Sequence, residues 1–456
     1  MSESSSYYIK KVQFTNFRCF SELTISFDKN ITVLVAPNGG GKTAVLDGLS
    51  LSLRLFVDSL EENNSSKGFS TKDIRLILSQ DRRMETLTPV CIKADGVFGD
   101  KNISWSRERQ SPKISRTNTV DAKDLKKCAG DLLKQYKTEL KMKKTPDVVF
   151  PLISYYGTGR LWSEVKPNTG KKTDKHAINK RQNGYTDCLS PSSHYKYFTD
   201  WFRRFSYDAK KESPEQKESP HEPMNAILAV RKAVNTTLSI SGWQDPEWDF
   251  AEDCIVASHN EYGRLPVDTL SDGIRNMTGL VADIAHRAYR LNPQFKERAA
   301  ELTPGIILID EVDMHLHPQW QQIVIRSLRE AFPLIQFIVT THSPQVLTTL
   351  RKENIRILSE DHDGQWTAEI PERSPLARES GDALAYIMGS DPRPDIPGIN
   401  ESAQEYEQLV KRGMKNSEKA IKIKQFLEDS GFEFHEAEED FFNFLESETA
   451  GNQEKS

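Results

Sequence analysis

The sequence predicts an α/β fold built on a parallel sheet, and three stretches carry that prediction. The first is a glycine loop set between an apolar run and a helical pattern, VLVAPNGGGKTAVLDGLS from Val33 to Ser50. The second and third are the apolar runs GIILID and QFIVTTH, separated by a helical pattern from Pro318 to Ala331. Strands that alternate with helices have both faces covered, so they read as continuous apolar runs.

The remaining elements follow in chain order. Residues 7 to 14 alternate in character, NFRCF follows, and Leu23 to Phe27 alternates again, which predicts a hairpin ahead of the strand Ile31–Val35. After the glycine loop, Val45, Leu46, Leu49 and Leu53 recur at helical spacing. From about Asp58 to Lys144 the chain turns polar, basic and rich in Ser, Asn and Lys, with one helical segment near Asp121 to Lys143. Apolar character returns as a strand from Val148 to Tyr156, which runs into GTGR. Trp162 to Lys180 and Ser213 to Pro223 read as polar loops around an aromatic helical piece, YKYFTDWFRRF. A helix is expected from Ser271 to about Leu291. Beyond Leu350 come a short strand, the turn region SDPRPDIPG and two helices.

Bulk properties exclude some classes of function. The 456 residues allow two to three domains, or one with large insertions. Hydrophobic content is 37% and charged content 28%, and no run approaches the ~20 apolar residues of a spanning helix. The start, MSESSSYYIKK, has no apolar signal core, so the expected location is cytoplasmic. Five cysteines, Cys19, Cys91, Cys128, Cys188 and Cys254, are scattered without a CxxC spacing, which argues against a disulfide framework and a zinc site. The net charge of -5 hides an asymmetry. Lys101 to Arg181 holds about 20 Lys/Arg against about 8 Asp/Glu, while Glu401 to Ser456 is acidic. The first region could meet a polyanion.

The chemistry starts at APNGGGKT, Ala36 to Thr43. In a phosphate-binding loop the backbone amides at a helix N-terminus cradle the phosphates, the lysine reaches the β and γ oxygens, and the hydroxyl binds Mg²⁺. Asn38, Gly39, Gly40, Gly41, Lys42 and Thr43 supply these parts. Ala36 stands where the pattern has its first glycine, which is acceptable if φ there is negative. A triphosphatase also needs a second acid on the metal and a group that positions water. The strand GIILID ends in Asp310, assigned to Mg²⁺ with Thr43, and Glu311, assigned as general base. His342, at the tip of QFIVTTH, can sense a γ-phosphate. TLSDGIRN places Ser271 and Gly273 at a helix start, a second anion-binding helix end.

In this order, NFRCF, APNGGGKT, LSDGIR, IILIDEVDMHLHP and IVTTHSP, the motifs resemble the ABC-type ATPases of the RecF, SMC and OLD group. More narrowly they resemble the PtuA-type ATPases of Septu and retron antiviral defence systems. The resemblance covers the start to about Val57 and about Leu265 to Leu350. It implies a P-loop ABC-type ATPase fold with helical and basic insertions and a helical C-terminal extension. The expected organisation is an N-terminal ATPase half (1–57), a polar basic insertion (58–147), a strand with a helical and loop insertion (148–264), a C-terminal ATPase half (265–375) and an acidic helical tail (376–456) that could dock a partner. It also implies ATP and Mg²⁺ as cofactors and slow, regulatory hydrolysis. Ser271 and Gly273 would cap the γ-phosphate of a partner subunit, so at least a homodimer is expected. Asp313, His315 and His317 look like a metal cluster, but in this family the stretch lies where subunits meet, and the interface reading is preferred. The glutamine loop of the family has no clear counterpart; the region of Tyr155, Tyr156 and Arg160 is the nearest.

Septu-type ATPases work with a separately encoded HNH nuclease, a PtuB-like subunit, so the resemblance implies a scaffold and regulator of that enzyme. One alternative is a RecF-like DNA-repair ATPase whose basic insertion contacts duplex DNA with steep salt dependence. Another is a self-sufficient OLD-like nuclease, which would need a metal site in the tail.

Overall fold

The computed structural model describes residues 6–61, 68–113, 117–142, 146–160, 181–191, 195–211, 222–391, 394–434 and 439–444. The loop expected from Trp162 to Lys180, most of the loop from Ser213, and Lys143, Lys144 and Leu445 lie outside them. The chain divides into two compact units, Met1–Ser390 and Asp391–Ser456.

The first unit is built on a six-stranded sheet in the order Trp366–Glu369, Ile355–Glu360, Ile31–Val35, Ile335–Thr340, Gly305–Ile309, Leu152–Tyr156. Every neighbouring pair is parallel except Ile355–Glu360 with Trp366–Glu369. The four strands nearest the middle and far edge are buried at every position, as their unbroken apolar runs require. At Gly305 a side chain is impossible, since a Cβ would lie 1.9 Å from the Leu152 carbonyl oxygen.

A second, antiparallel sheet has the order Phe20–Ser26, Ser6–Phe17, Val90–Gly99, Lys101–Arg109. The first two strands are the expected hairpin. The other two come from the stretch that reads as a polar basic insertion, and they pack Val90, Ile92, Phe98, Ile103 and Trp105 into the common core. The sheets are stitched together at a β-bulge in Ser6–Phe17. There the Gln336 side chain accepts from the Ile9 amide (2.8 Å) and donates to the Ile9 and Asp28 carbonyls (2.8 Å each). A buried glutamine is tolerable because its amide satisfies backbone groups that the irregular ladder leaves.

The 19-residue helix Lys42–Leu60 packs between the sheets, and Lys123–Met142 lies along it with Leu125, Ala129, Leu133 and Tyr136 inward. Helices Tyr195–Lys211, Glu222–Leu238 and Asp272–Leu291 form a helical layer. A three-stranded sheet, Trp243–Asp249, Cys254–His259 and Gly263–Pro266, occupies residues expected to be helix or loop. The helix expected from Pro318 to Ala331 is two, Pro318–Gln321 and Val324–Ala331, joined by a turn at Gln322 and Ile323. All five cysteines are free thiols. Among the described residues no helix is long and apolar enough to cross a membrane.

The second unit has its own small core. Helices Ile399–Lys411 and Glu418–Asp429 enclose Ala403, Tyr406, Val410, Ala420 and Leu427, and Phe442 closes it with its ring edge-on to Tyr406 at 6.0 Å. Of the three phenylalanines in this part of the acidic tail, Phe442 is thus core, whereas Phe441 and Phe444 are exposed.

Candidate nucleotide site

The strand Ile31–Val35 delivers Ala36 into the glycine loop, and the helix begins at Lys42. Gly39 (φ 80°) and Gly41 (φ 79°) take left-handed conformations that favour glycine. At Gly41 a Cβ would also meet the Phe20 ring at 2.5 Å, so the NFRCF turn presses directly on the loop. Ala36 is not among the residues with positive φ, which meets the condition set for replacing glycine there. The helix end that follows offers backbone amides to an anion.

Lys42 folds back over its own loop, donating from Nζ to the Ala36 (2.7 Å) and Pro37 (3.2 Å) carbonyls. Burial lowers the pKa of its ammonium, and the nearby carboxylates of Asp310, Glu311 and Asp313 oppose that shift. These three acids and the lysine therefore share one local field, although they come from chain positions far apart.

Asp310 is the centre of the arrangement. It follows the strand Gly305–Ile309 and is buried. Its Oδ2 accepts from the Thr43 hydroxyl at 2.8 Å, and its Oδ1 accepts from the Thr340 hydroxyl at 2.6 Å. Thr340 also takes the Glu311 amide on the same hydroxyl oxygen at 2.8 Å. Glu311 itself has φ 48°, an uncommon conformation for this residue type that is met at functional turns. Thr340 escaped the sequence reading, which singled out only His342 at this strand tip; a hydroxyl ending an apolar strand was the available signal. The strand of His342 lies between those of the glycine loop and Asp310. His342 itself is half-buried beyond the strand end.

The set suits Mg²⁺ and a triphosphate. A hydroxyl and a carboxylate already within hydrogen-bond reach at a helix N-terminus are hard oxygen donors of the kind Mg²⁺ takes together with phosphate oxygens. By contrast, Asp313, His315 and His317 are not gathered into a cluster: among the described residues no group of three or more His, Cys, Asp or Glu side chains comes together. Asp313 accepts from the Thr341 hydroxyl at 2.5 Å instead.

Ser271 is exposed and occupies the N-cap position of the helix Asp272–Leu291, although its side chain makes no capping bond. Gly273 lies against the loop after Glu311, where a Cβ would be 2.6 Å from the His315 carbonyl oxygen. Asp272 and Arg275 pair at 2.8 Å on the outer face.

Two family models and several known proteins match the chain. A family model described as "AAA domain" matches residues 11–219, and a second AAA-domain model, of the AbiEii toxin and Type IV TA system type, matches 190–348. The chain is 25% identical to the "Retron Vc95 probable ATPase" of Vibrio cholerae serotype O1 biovar El Tor, covering 91% of this chain and 86% of that one. It is 32% identical to the "Septu protein PtuA" of Bacillus mycoides (strain KBAB4) over 38% of this chain and 23% of that one. Among solved structures, the SMC head domain from Thermotoga maritima matches 80% of this chain and 99% of its own at 15% identity, with a TM-score of 0.44. The chain resembles the PtuA-type ATPases of retron and Septu systems, and it is a P-loop ATPase.

Proposed function

We propose that this ATPase holds Mg²⁺·ATP between the glycine loop and the Asp310 strand, and that slow hydrolysis switches a defence complex containing a separately encoded HNH nuclease. The observation that carries the nucleotide part is the double hold on Asp310, by Thr43 from the loop helix and Thr340 from the intervening strand. Mg²⁺, when bound, would neutralise charge on the β- and γ-phosphates. Lys42 and the loop amides bind and orient the phosphates, Thr43 and Asp310 hold the metal, and Glu311 takes the proton of the attacking water. His342 contacts the γ-phosphate. Exposed Ser271 and the Gly273 amide, at the start of the helix Asp272–Leu291, complete the site of a second copy, so the working unit is a homo-oligomer.

Similarity to a retron ATPase over most of both chains, and to a Septu protein over part of each, supports the defence context. The exposed Phe441 and Phe444 among carboxylates support a basic partner at the tail. The RecF-like alternative rests on the helix Lys123–Met142, which exposes Lys123, Lys127, Lys134, Lys137 and Lys141.

Two assays test the reading. Glu311→Gln should retain ATP and lose turnover by several powers of ten, as removal of a catalytic group in hydrolases does; undiminished turnover would remove Glu311 from the chemistry. The purified chain should leave plasmid DNA and tRNA intact with Mg²⁺ and ATP, and cleavage should appear when the HNH protein is added. Cleavage by the chain alone would refute the scaffold role.

A further inference from the structure

The helix Asp272–Leu291 meets the surroundings of Asp310 in two places, the loop after Glu311 and the end of the edge strand Leu152–Tyr156. Gly273, Asn276, Leu280, Asp283 and Arg287 fall at three- and four-residue spacing, so they share one face. Near its start, the Asn276 side-chain amide donates to the Met314 carbonyl at 3.1 Å, and Gly273 abuts the His315 carbonyl. These contacts hold the loop that leaves Glu311. Two turns further on, Asp283 Oδ2 accepts from the Tyr156 hydroxyl at 2.8 Å and from Arg287 Nε at 2.7 Å. The Tyr156 backbone carbonyl in turn accepts the Asp310 amide at 2.8 Å.

Tyr156 is well placed to matter. It ends the edge strand of the six-stranded sheet, whose outer side meets no further strand and is held instead by the Cys188 carbonyl, which accepts the Tyr155 amide at 2.7 Å. Its hydroxyl reaches a carboxylate–guanidinium pair that is fully buried, and Arg287 is tied further to the Gly184 (2.8 Å) and Thr186 (3.0 Å) carbonyls. In such low-dielectric surroundings a hydrogen bond to a charged group is directional and strong. Asn276 is also buried.

We propose that Tyr156, Asn276 and Asp283 are positioning residues for ATP hydrolysis, through which one face of the helix Asp272–Leu291 clamps the Asp310–Glu311 segment from both flanks. The inference rests on the ATPase reading and extends it to residues that touch neither nucleotide nor metal. Because the clamping helix starts at Ser271, the segment that presents outward and the segment that holds the metal move as one body.

Tyr156→Phe removes only the hydroxyl and keeps the ring; Asn276→Ala removes the second hold. In the full chain, each is assayed for ATP turnover against Mg²⁺ concentration and for binding of a fluorescent ATP analogue without Mg²⁺. Turnover at saturating ATP should fall, and the Mg²⁺ needed for half-maximal rate should rise, by on the order of tenfold, the usual effect of losing an outer partner of a metal ligand. Metal-free analogue binding should stay as in wild type. A lowered melting temperature with unchanged turnover and Mg²⁺ dependence would overturn the proposal and leave the network as internal glue. Should Asn276→Ala fail to fold, Tyr156→Phe decides by the same readouts. A wild-type chain that neither binds the analogue nor hydrolyses ATP would reject the ATPase reading itself, before any variant is compared.

Discussion

Thr340 does two jobs with one hydroxyl: it donates to Asp310 Oδ1 and accepts the Glu311 amide. Valine has nearly the same shape and neither capacity. Thr340→Val should therefore leave a buried acceptor and a backbone donor unmatched, at a cost of about 1–3 kcal/mol. Turnover should drop about 10- to 100-fold, with a raised Mg²⁺ requirement, since the acid loses one of its two holds. Mg²⁺ titrations beside thermal melting check this; a variant that melts lower but titrates like wild type would reduce Thr340 to a structural role. Lys42, Thr43, Asp310 and Glu311 were legible because their motifs combine rare residue types at fixed spacing. Thr340 and Asn276 were not, and Tyr156 was singled out only as part of the region nearest to a glutamine loop, because each acts through a partner far away in sequence, and nothing local marks a threonine or tyrosine as the far end of such a bond.

Elements show the same division. The strands Ile31–Val35, Gly305–Ile309 and Ile335–Thr340 announce themselves because burial on both faces demands unbroken apolar runs. Lys101–Arg109 is half-exposed, and two of its inward positions are arginines. Arg107 is 1% exposed, bonded to the Leu51 carbonyl and set over the Phe69 ring, and burial lowers its pKa to about 10. Arg109 donates to the Phe69 (2.9 Å) and Pro112 (2.7 Å) carbonyls. A strand that turns guanidinium groups inward hides its alternation, so the segment reads as a basic insertion. A buried histidine marks a second junction, where the ring of His286 lies 4.0 Å from that of Trp201 in the helix Tyr195–Lys211. Burial lowers its pKa to about 4, with Arg290 and Arg287 acting in the same direction and Asp283 opposing. A base depressed in the folded state contributes stability that is complete above its unfolded pKa of about 6.5 and is lost as pH falls toward 4. Wild type should lose on the order of 3 kcal/mol through this group over that window, and His286→Gln should flatten the loss. Parallel slopes for the two proteins in denaturant melts at several pH values would show that His286 is not the titrating group.

At the scale of the whole molecule, the acidic unit has a core of its own around Tyr406 and Phe442, so the rest is expected to fold without it. A chain ending at Ser390 should melt cooperatively and hydrolyse ATP at a rate within about a factor of ten of the full chain, while losing capture of the HNH protein in pull-downs. A truncated chain that precipitates would show that the two units share their stability. One that still captures the nuclease would move the docking surface into the larger unit.

The order of the six-stranded sheet also bears on how the protein is made. Both neighbours of Ile31–Val35, the strands Ile335–Thr340 and Ile355–Glu360, come from the far end of the first unit. Thr43 and Asp310 are 267 positions apart. On the ribosome, then, the glycine loop emerges early and waits for nearly the whole unit to be translated before its strand has a partner or its threonine an acid. A message cut short or a stalled chain yields no assembled glycine-loop site, only an apolar strand for chaperones and proteases to recognise. The topology itself withholds the assembled site until synthesis of the first unit is nearly complete.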